Sequence, residues 1–93
     1  MDALLLAVGA RITTLRTEFE LLPHQLAERA GMDQNYLWRI EAGRQNLSLR
    51  NTARLAKAFG LSLSQLLDGI DVSELDLEPR AYTRRTDVSS QAE

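Results

Sequence analysis

Gln34, Asn35, Trp38 and Arg39 fall at steps that place them on one face of a helix, and three of the four end in an amide or a guanidinium group. An inert surface helix would more often be rich in Glu and Lys. Amides and guanidinium groups make directional, paired hydrogen bonds, so this face is suited to recognition rather than to making or breaking bonds. The sequence has no Gly-rich phosphate loop, no metal-ligand spacing and no nucleophile arrangement, which argues against an enzyme. His24, the single histidine, lies near a helix start with no acidic, hydroxyl or second-histidine partner in sequence reach and reads as exposed and inert. Cysteine is absent, which removes disulfides and thiolate metal sites; neither metal nor cofactor is expected.

The flanking residues supply a frame for that face. Pro23 suits the first position of a helix, because its missing N–H would have no intrahelical partner there, and Leu26, Ala27 and Ala30 form the buried face of a helix from 23 to about 30. Ala27 is small where two helices must approach. Gly31 makes the turn with a positive φ, Met32 points back to the core, and Asp33 caps a second helix running from Gln34 to about Ala42. Leu37 and Ile40 face inward from it, and Gly43 stops it. Two short helices meeting at a glycine turn form a helix-turn-helix pattern, whose second helix enters the DNA major groove.

Three further helices surround this pair. Asp2 caps a helix from about 3 to 18, with Leu5, Val8, Ile12, Leu15 and Phe19 on its stripe and Arg11 and Arg16 off it. Leu4 and Leu6 make its first turn apolar nearly all round, which fits either a wide core face or a contact with the tail or a partner chain. After a polar Arg44-Gln45-Asn46 loop, Ser48 caps a fourth helix carrying Leu49, Thr52, Leu55, Ala56 and Phe59, ended by Gly60. Ser62 caps a short fifth helix with Leu63, Leu66, Leu67 and Ile70. The expected fold is all-α, five helices in residues 1–71, with the helix-turn-helix at about 23–42.

The 93 residues, 44% hydrophobic, suit one small domain with a modest core. The net charge of −2 divides into +1 for residues 1–70 and −3 for residues 71–93. Acidity therefore sits in the tail, and arginines sharing a face can still meet phosphates, since the local field decides. Residues 72–93 lose clean periodicity and read as a flexible acidic and polar tail, or as a short extension of a dimer contact through Val72, Leu75 and Leu77. No apolar run approaches the roughly 18 residues of a membrane span, and the apolar stretch 3–10 lacks the basic start of a signal peptide. The cytoplasm is the expected compartment, with no membrane partner.

From Val8 to Ile70 the chain resembles the Cro/cI-type (XRE-like) helix-turn-helix domain of phage repressors and small bacterial regulators. The residues that carry the resemblance are Gly9-Ala10-Arg11-Ile12, Leu26-Ala27, Gly31, Tyr36-Leu37, Ile40-Glu41, Gly43-Arg44, Ser48-Leu49, Leu55-Ala56, Gly60-Leu61-Ser62 and Leu66-Leu67. Asn46-Leu47-Ser48-Leu49, with Leu47 where much of the family has Pro, is similar to the controller proteins of restriction–modification systems. The resemblance implies a lambda-repressor-like, five-helix domain. It also implies that Gln34 and Asn35 reach base edges, where amides pair bidentately with adenine N6/N7, and that Arg39 reads bases, preferably guanine O6/N7, or phosphates. Trp38, Arg44, Gln45 and Asn46 fall at backbone-contacting or mixed positions, and Glu41 at a structural one, paired with a basic neighbour such as Arg11 or Arg16.

Three departures accompany the match. Pro23 stands where the family often has a Gln that braces the first recognition-helix residue, Leu22 where a Ser or Thr cap is usual, and Glu20 where Gly is favoured. Trp38 replaces a common Ser and is open to three roles: packing on sugar-phosphate, contact with a thymine methyl, or shelter against a neighbouring helix. The family pattern implies a homodimer on a pseudo-palindromic double-stranded operator, with Leu63, Leu66, Leu67 and Ile70 as the interface. Such a regulator represses by excluding RNA polymerase or activates by touching it from just upstream. The alternative is an antitoxin-like or other protein-binding module that uses the C-terminal tail.

Overall fold

The structure, a computed structural model, describes residues 2–77. Five α-helices follow in order: α1 Ala3–Glu18, α2 Pro23–Ala30, α3 Gln34–Glu41, α4 Leu49–Phe59 and α5 Leu63–Leu66. Their starts have chemical causes. The Asp2 carboxylate accepts from the N–H groups of Leu4 and Leu5 at 2.9 and 3.1 Å, Asp33 accepts from Asn35 at 2.9 Å, and Ser48 Oγ accepts from Asn51 at 3.0 Å. Leu22 offers no such acceptor before α2. There Pro23 removes one orphan donor and Gln25 Oε1 accepts from the Leu22 N–H at 2.8 Å, so the helix is capped from inside its own first turn.

The helices enclose one core. Ile12, Leu15, Leu21, Leu26, Leu37, Ile40, Leu55, Phe59 and Leu66 are buried together, with Val8, Met32 and Leu61 packed against them. Thr52, the buried polar residue of α4, satisfies its hydroxyl by donating to the Ser48 carbonyl at 2.7 Å. Phe19, expected on the core stripe, sits at its edge instead: it is exposed on one side and packs its ring edge-on against Phe59, centroids 5.1 Å apart. α1 ends at Glu18, so Phe19 has already left the helical course that buries Leu15.

α5 is shorter than its spacing suggests, and the chain turns after Leu66. Four residues make a marginal helix, but both ends of this one are satisfied. Ser62 and Gln65 cap each other, and the Arg11 guanidinium reaches from α1 to donate to the carbonyls of Leu66 and Gln65 at 2.9 and 2.8 Å. That arrangement corrects one expectation. Leu66, proposed as an interface residue, is 0% exposed and belongs to the monomer's own core, whereas Leu63 is exposed and Leu67 and Ile70 are half-buried.

The crossing of α1 over the end of α3 sets the tightest contact. A Cβ on Gly9 would collide with the Ile40 carbonyl and lie 2.8 Å from the Glu41 carbonyl, so only glycine lets the two backbones approach. Beside it, Gly43 takes φ +73°, and a Cβ there would meet Leu6 Cδ2 at 2.7 Å. The breadth of the apolar first turns of α1 thus has a cause within the monomer, since Leu6 rests on the turn that ends α3.

Glu20, where the α1–α2 turn needs a left-handed residue, has φ +57°. The turn is nonetheless tied: the N–H groups of Glu20 and Leu21 donate to the carbonyls of Thr17 and Arg16, both at 3.0 Å. Two substitutions test these backbone assignments by urea unfolding. Gly9→Ala should cost about 2–3 kcal/mol, as overpacking against rigid backbone does, and Glu20→Gly should gain about 0.5–1 kcal/mol by relieving the left-handed strain. An unchanged midpoint for Gly9→Ala would refute the close crossing.

Candidate nucleic-acid interface

α2 and α3 pack at the Gly31 turn, φ +68°, with Ala27 and Leu26 on one side and Leu37 on the other, all buried. This packing turns the opposite side of α3 outward. Gln34, Asn35, Trp38 and Arg39 are all exposed, and the following loop adds exposed Arg44 and Asn46 and half-buried Gln45. The residues expected from the sequence to form one surface therefore share one.

The second half of α3 is organised differently. The Arg39 guanidinium lies over the Tyr36 ring, 5.5 Å from its centroid, and its Nε donates to Gln45 Oε1 at 3.3 Å. Arg44 lies over the Trp38 ring at the same distance. The loop itself is continuous with the helix, because the Arg44 N–H donates to the Arg39 carbonyl at 2.8 Å and the Gly43 N–H to that of Ile40 at 3.0 Å. Both arginines are thus steered by aromatic faces and not by carboxylates. Among the described residues the one salt bridge is Arg16 to Glu41, so Arg39 and Arg44 keep their charge for an incoming anion or base edge.

Trp38, the least assignable residue from sequence, is 60% exposed. It is not sheltered against a neighbouring helix; among the described residues the Arg44 guanidinium lies over its ring. Gln45 supports Arg39 and joins its own side-chain amide to the Asn46 carbonyl at 3.4 Å. Sequence reasoning missed a polar chain that leads from the recognition helix to α4: Asn51 Nδ2 donates to Tyr36 Oη at 2.9 Å, and Arg54 donates to Asn51 Oδ1 at 2.7 Å. Its members are fifteen and three residues apart, and only the three-residue step has a local signature in helical spacing.

α3 is held in place from behind. Glu41, in its last turn, would oppose the negative end of the helix dipole if left alone. Arg16 from α1 meets both its carboxylate oxygens, at 2.8 and 3.3 Å, and also donates to the Leu21 carbonyl at 2.9 Å. Of the two partners considered for Glu41, Arg16 is the one present. It joins α1, the turn before α2 and the end of α3 in one largely buried cluster.

Two helices joined by a glycine turn, the second presenting amides and arginines that have no salt bridge among the described residues, define a helix-turn-helix nucleic-acid-binding domain. Residues 7–68 match the family described as a helix-turn-helix domain, and the chain belongs to that family, in its XRE-type branch. Over 62 residues it is 39% identical to the immunity repressor protein of Bacillus phage phi105; the match covers 67% of this chain but only 43% of the repressor's length. The crystal structure of the restriction–modification controller protein C.AhdI from Aeromonas hydrophila superimposes with a TM-score of 0.65 and 35% identity, covering 67% of this chain and 94% of that one. The biofilm regulator SinR, solved in complex with DNA, is 34% identical with a TM-score of 0.61, over 66% of this chain and 98% of that one. These relatives are named as a repressor, a controller protein and a regulator, none as an enzyme.

A double-mutant cycle measures the tie behind α3. Arg16→Ala and Glu41→Ala should each lower stability, with a coupling of about 1–3 kcal/mol, above the range of an exposed pair. A coupling near zero would mean that the pair does not hold the recognition helix.

Proposed function

We propose that the chain is a transcription regulator that binds a pseudo-palindromic DNA operator as a homodimer. The observation that carries this reading is the outward face of α3 and its loop, where Gln34, Asn35, Arg39 and Arg44 are exposed together with no paired carboxylate among the described residues. Gln34 and Asn35 offer bidentate amides to adenine, Arg39 offers a fork to guanine, and Arg44, Gln45 and Asn46 meet the flanking backbone or bases. One eight-residue helix spans roughly 12 Å and covers a single half-site. A two-fold dimer sets two such helices about 34 Å apart, one turn of DNA.

The dimer surface is assigned to Leu63, Leu67 and Ile70, without Leu66. Leu67 and Ile70 border a mostly apolar hollow of about 330 Å³ that Leu4, Leu5, Val8 and Val72 also line, together with Gln45 and Asn46 of the α3–α4 loop, which supports a broader contact than α5 alone. Exposed Val72 and Leu77 and half-buried Leu75 extend it along the chain; the rest of the tail, 78–93, lies outside the described residues. Among those residues no helix is long and apolar enough to cross a membrane. Bound near a promoter, the dimer represses when it blocks RNA polymerase and activates when it contacts it.

Selection of bound sequences from a random duplex pool tests the whole reading. A two-fold symmetric consensus should emerge, with affinity falling as salt rises because counterions are released. Gln34→Ala and Arg39→Ala should each cost about 1–3 kcal/mol and relax base preference at distinct positions. Leu63→Asp should shift sedimentation toward monomer and remove the dependence of the melting temperature on protein concentration that a dimer shows. If neither variant alters sequence preference, α3 is not the reading element.

A further inference from the structure

We propose that Trp38 and Arg44 act as one composite reader of a thymine–guanine step in the half-site, the ring contacting the thymine C5-methyl while the guanidinium pairs with guanine O6/N7. This inference rests on the operator-binding reading above and names which bases one part of that surface selects.

Three observations carry it. Trp38 exposes an apolar ring on a face that is otherwise hydrogen-bonding, and among the described residues Arg44 is the side chain that lies over it. Arg44 is fixed at its backbone by the 2.8 Å bond to the Arg39 carbonyl and at its head by the ring 5.5 Å away, so guanidinium and indole reach outward as a unit. Neither group is tied to an acid, the one described salt bridge lying behind the helix at Arg16 and Glu41.

The major groove offers one apolar feature, the thymine methyl, and one feature that a planar guanidinium meets with two parallel hydrogen bonds, the O6/N7 edge of guanine. A ring and a guanidinium in van der Waals reach of each other fit those two features on neighbouring bases. Packing on sugar-phosphate would also cover the ring, but it would leave binding indifferent to the thymine methyl and to guanine N7. The stacked pair also restricts Arg44, which lowers the side-chain ordering lost on binding.

The test uses the full chain and the operator obtained by selection. Each thymine is replaced in turn by deoxyuridine, which removes only the methyl, and each guanine by 7-deazaguanine, which removes only N7. For the parent protein one thymine should show a loss of about fourfold on demethylation, the equivalent of one buried methyl-sized group, and the adjacent guanine should show a loss of tenfold or more on removal of N7. Trp38→Ala should bind the thymine and deoxyuridine operators equally, Trp38→Phe should retain part of the difference, and Arg44→Ala should abolish the N7 effect. Trp38 is exposed, so unchanged thermal melting of its variants is expected and guards against a folding effect.

The inference is overturned if no thymine methyl matters to the parent, if the sensitive thymine and guanine are not neighbours, or if Trp38→Ala weakens all duplexes alike with the methyl effect intact. Those outcomes leave operator binding standing when Gln34→Ala and Arg39→Ala still relax preference. Absence of any selected consensus would instead remove the operator reading itself.

Discussion

The placement of α3 depends on the point where α1 crosses its C-terminal end. Helix carbonyls there lack intrahelical partners, and Gly9 lets the α1 backbone come down onto those of Ile40 and Glu41 with no side chain between. Two turns further along α1, Arg16 closes on the Glu41 carboxylate and on the Leu21 carbonyl. Steric exclusion and charge thus act on the same end of the same helix. A recognition helix anchored at its buried end keeps its outward side free of structural duty, which is why four large polar or aromatic residues can stay exposed there without weakening the core.

That anchoring also accounts for what surrounds it. Glu41 alone would be unfavourable in the last turn of a helix; with Arg16 it becomes the link between α1 and the helix-turn-helix. Arg11, one turn earlier on α1, performs a parallel task by donating to the last carbonyls of α5. The two arginines that lie off the apolar stripe of α1 therefore clasp opposite sides of the domain. Their charges are used for assembly, while Arg39 and Arg44 remain for a ligand.

The five helices were legible in the sequence because their signals are local. Asp2, Asp33, Ser48 and Ser62 cap within three residues, Pro23 and the glycines mark ends, and stripes at steps of three and four give the buried sides. The shared outward face of Gln34, Asn35, Trp38 and Arg39 was legible for the same reason. Leu66 was misplaced because spacing tells which residues share a side of a helix but not how much of that side one small core consumes. Arg11 and its α5 partners are more than fifty residues apart, and the Asn51–Tyr36 bond joins different helices; nothing local encodes either. Of the roles open to Trp38, shelter against a helix is not the one adopted, since the side chain is exposed and lies under the Arg44 guanidinium.

The two ends of α3 are held differently. Gln34, at its entry, has an exposed side chain. Arg39 has a ring beneath it and Gln45 beside it; Arg44 has a ring and a backbone bond that makes the loop an extension of the helix. Fixing a free arginine side chain costs up to about 2 kcal/mol of rotamer entropy, so those already held are the ones that convert a contact most fully into discrimination. Among these side chains preorganisation therefore increases toward the α3–α4 loop, and on the proposed operator contact the weight of specificity should follow it.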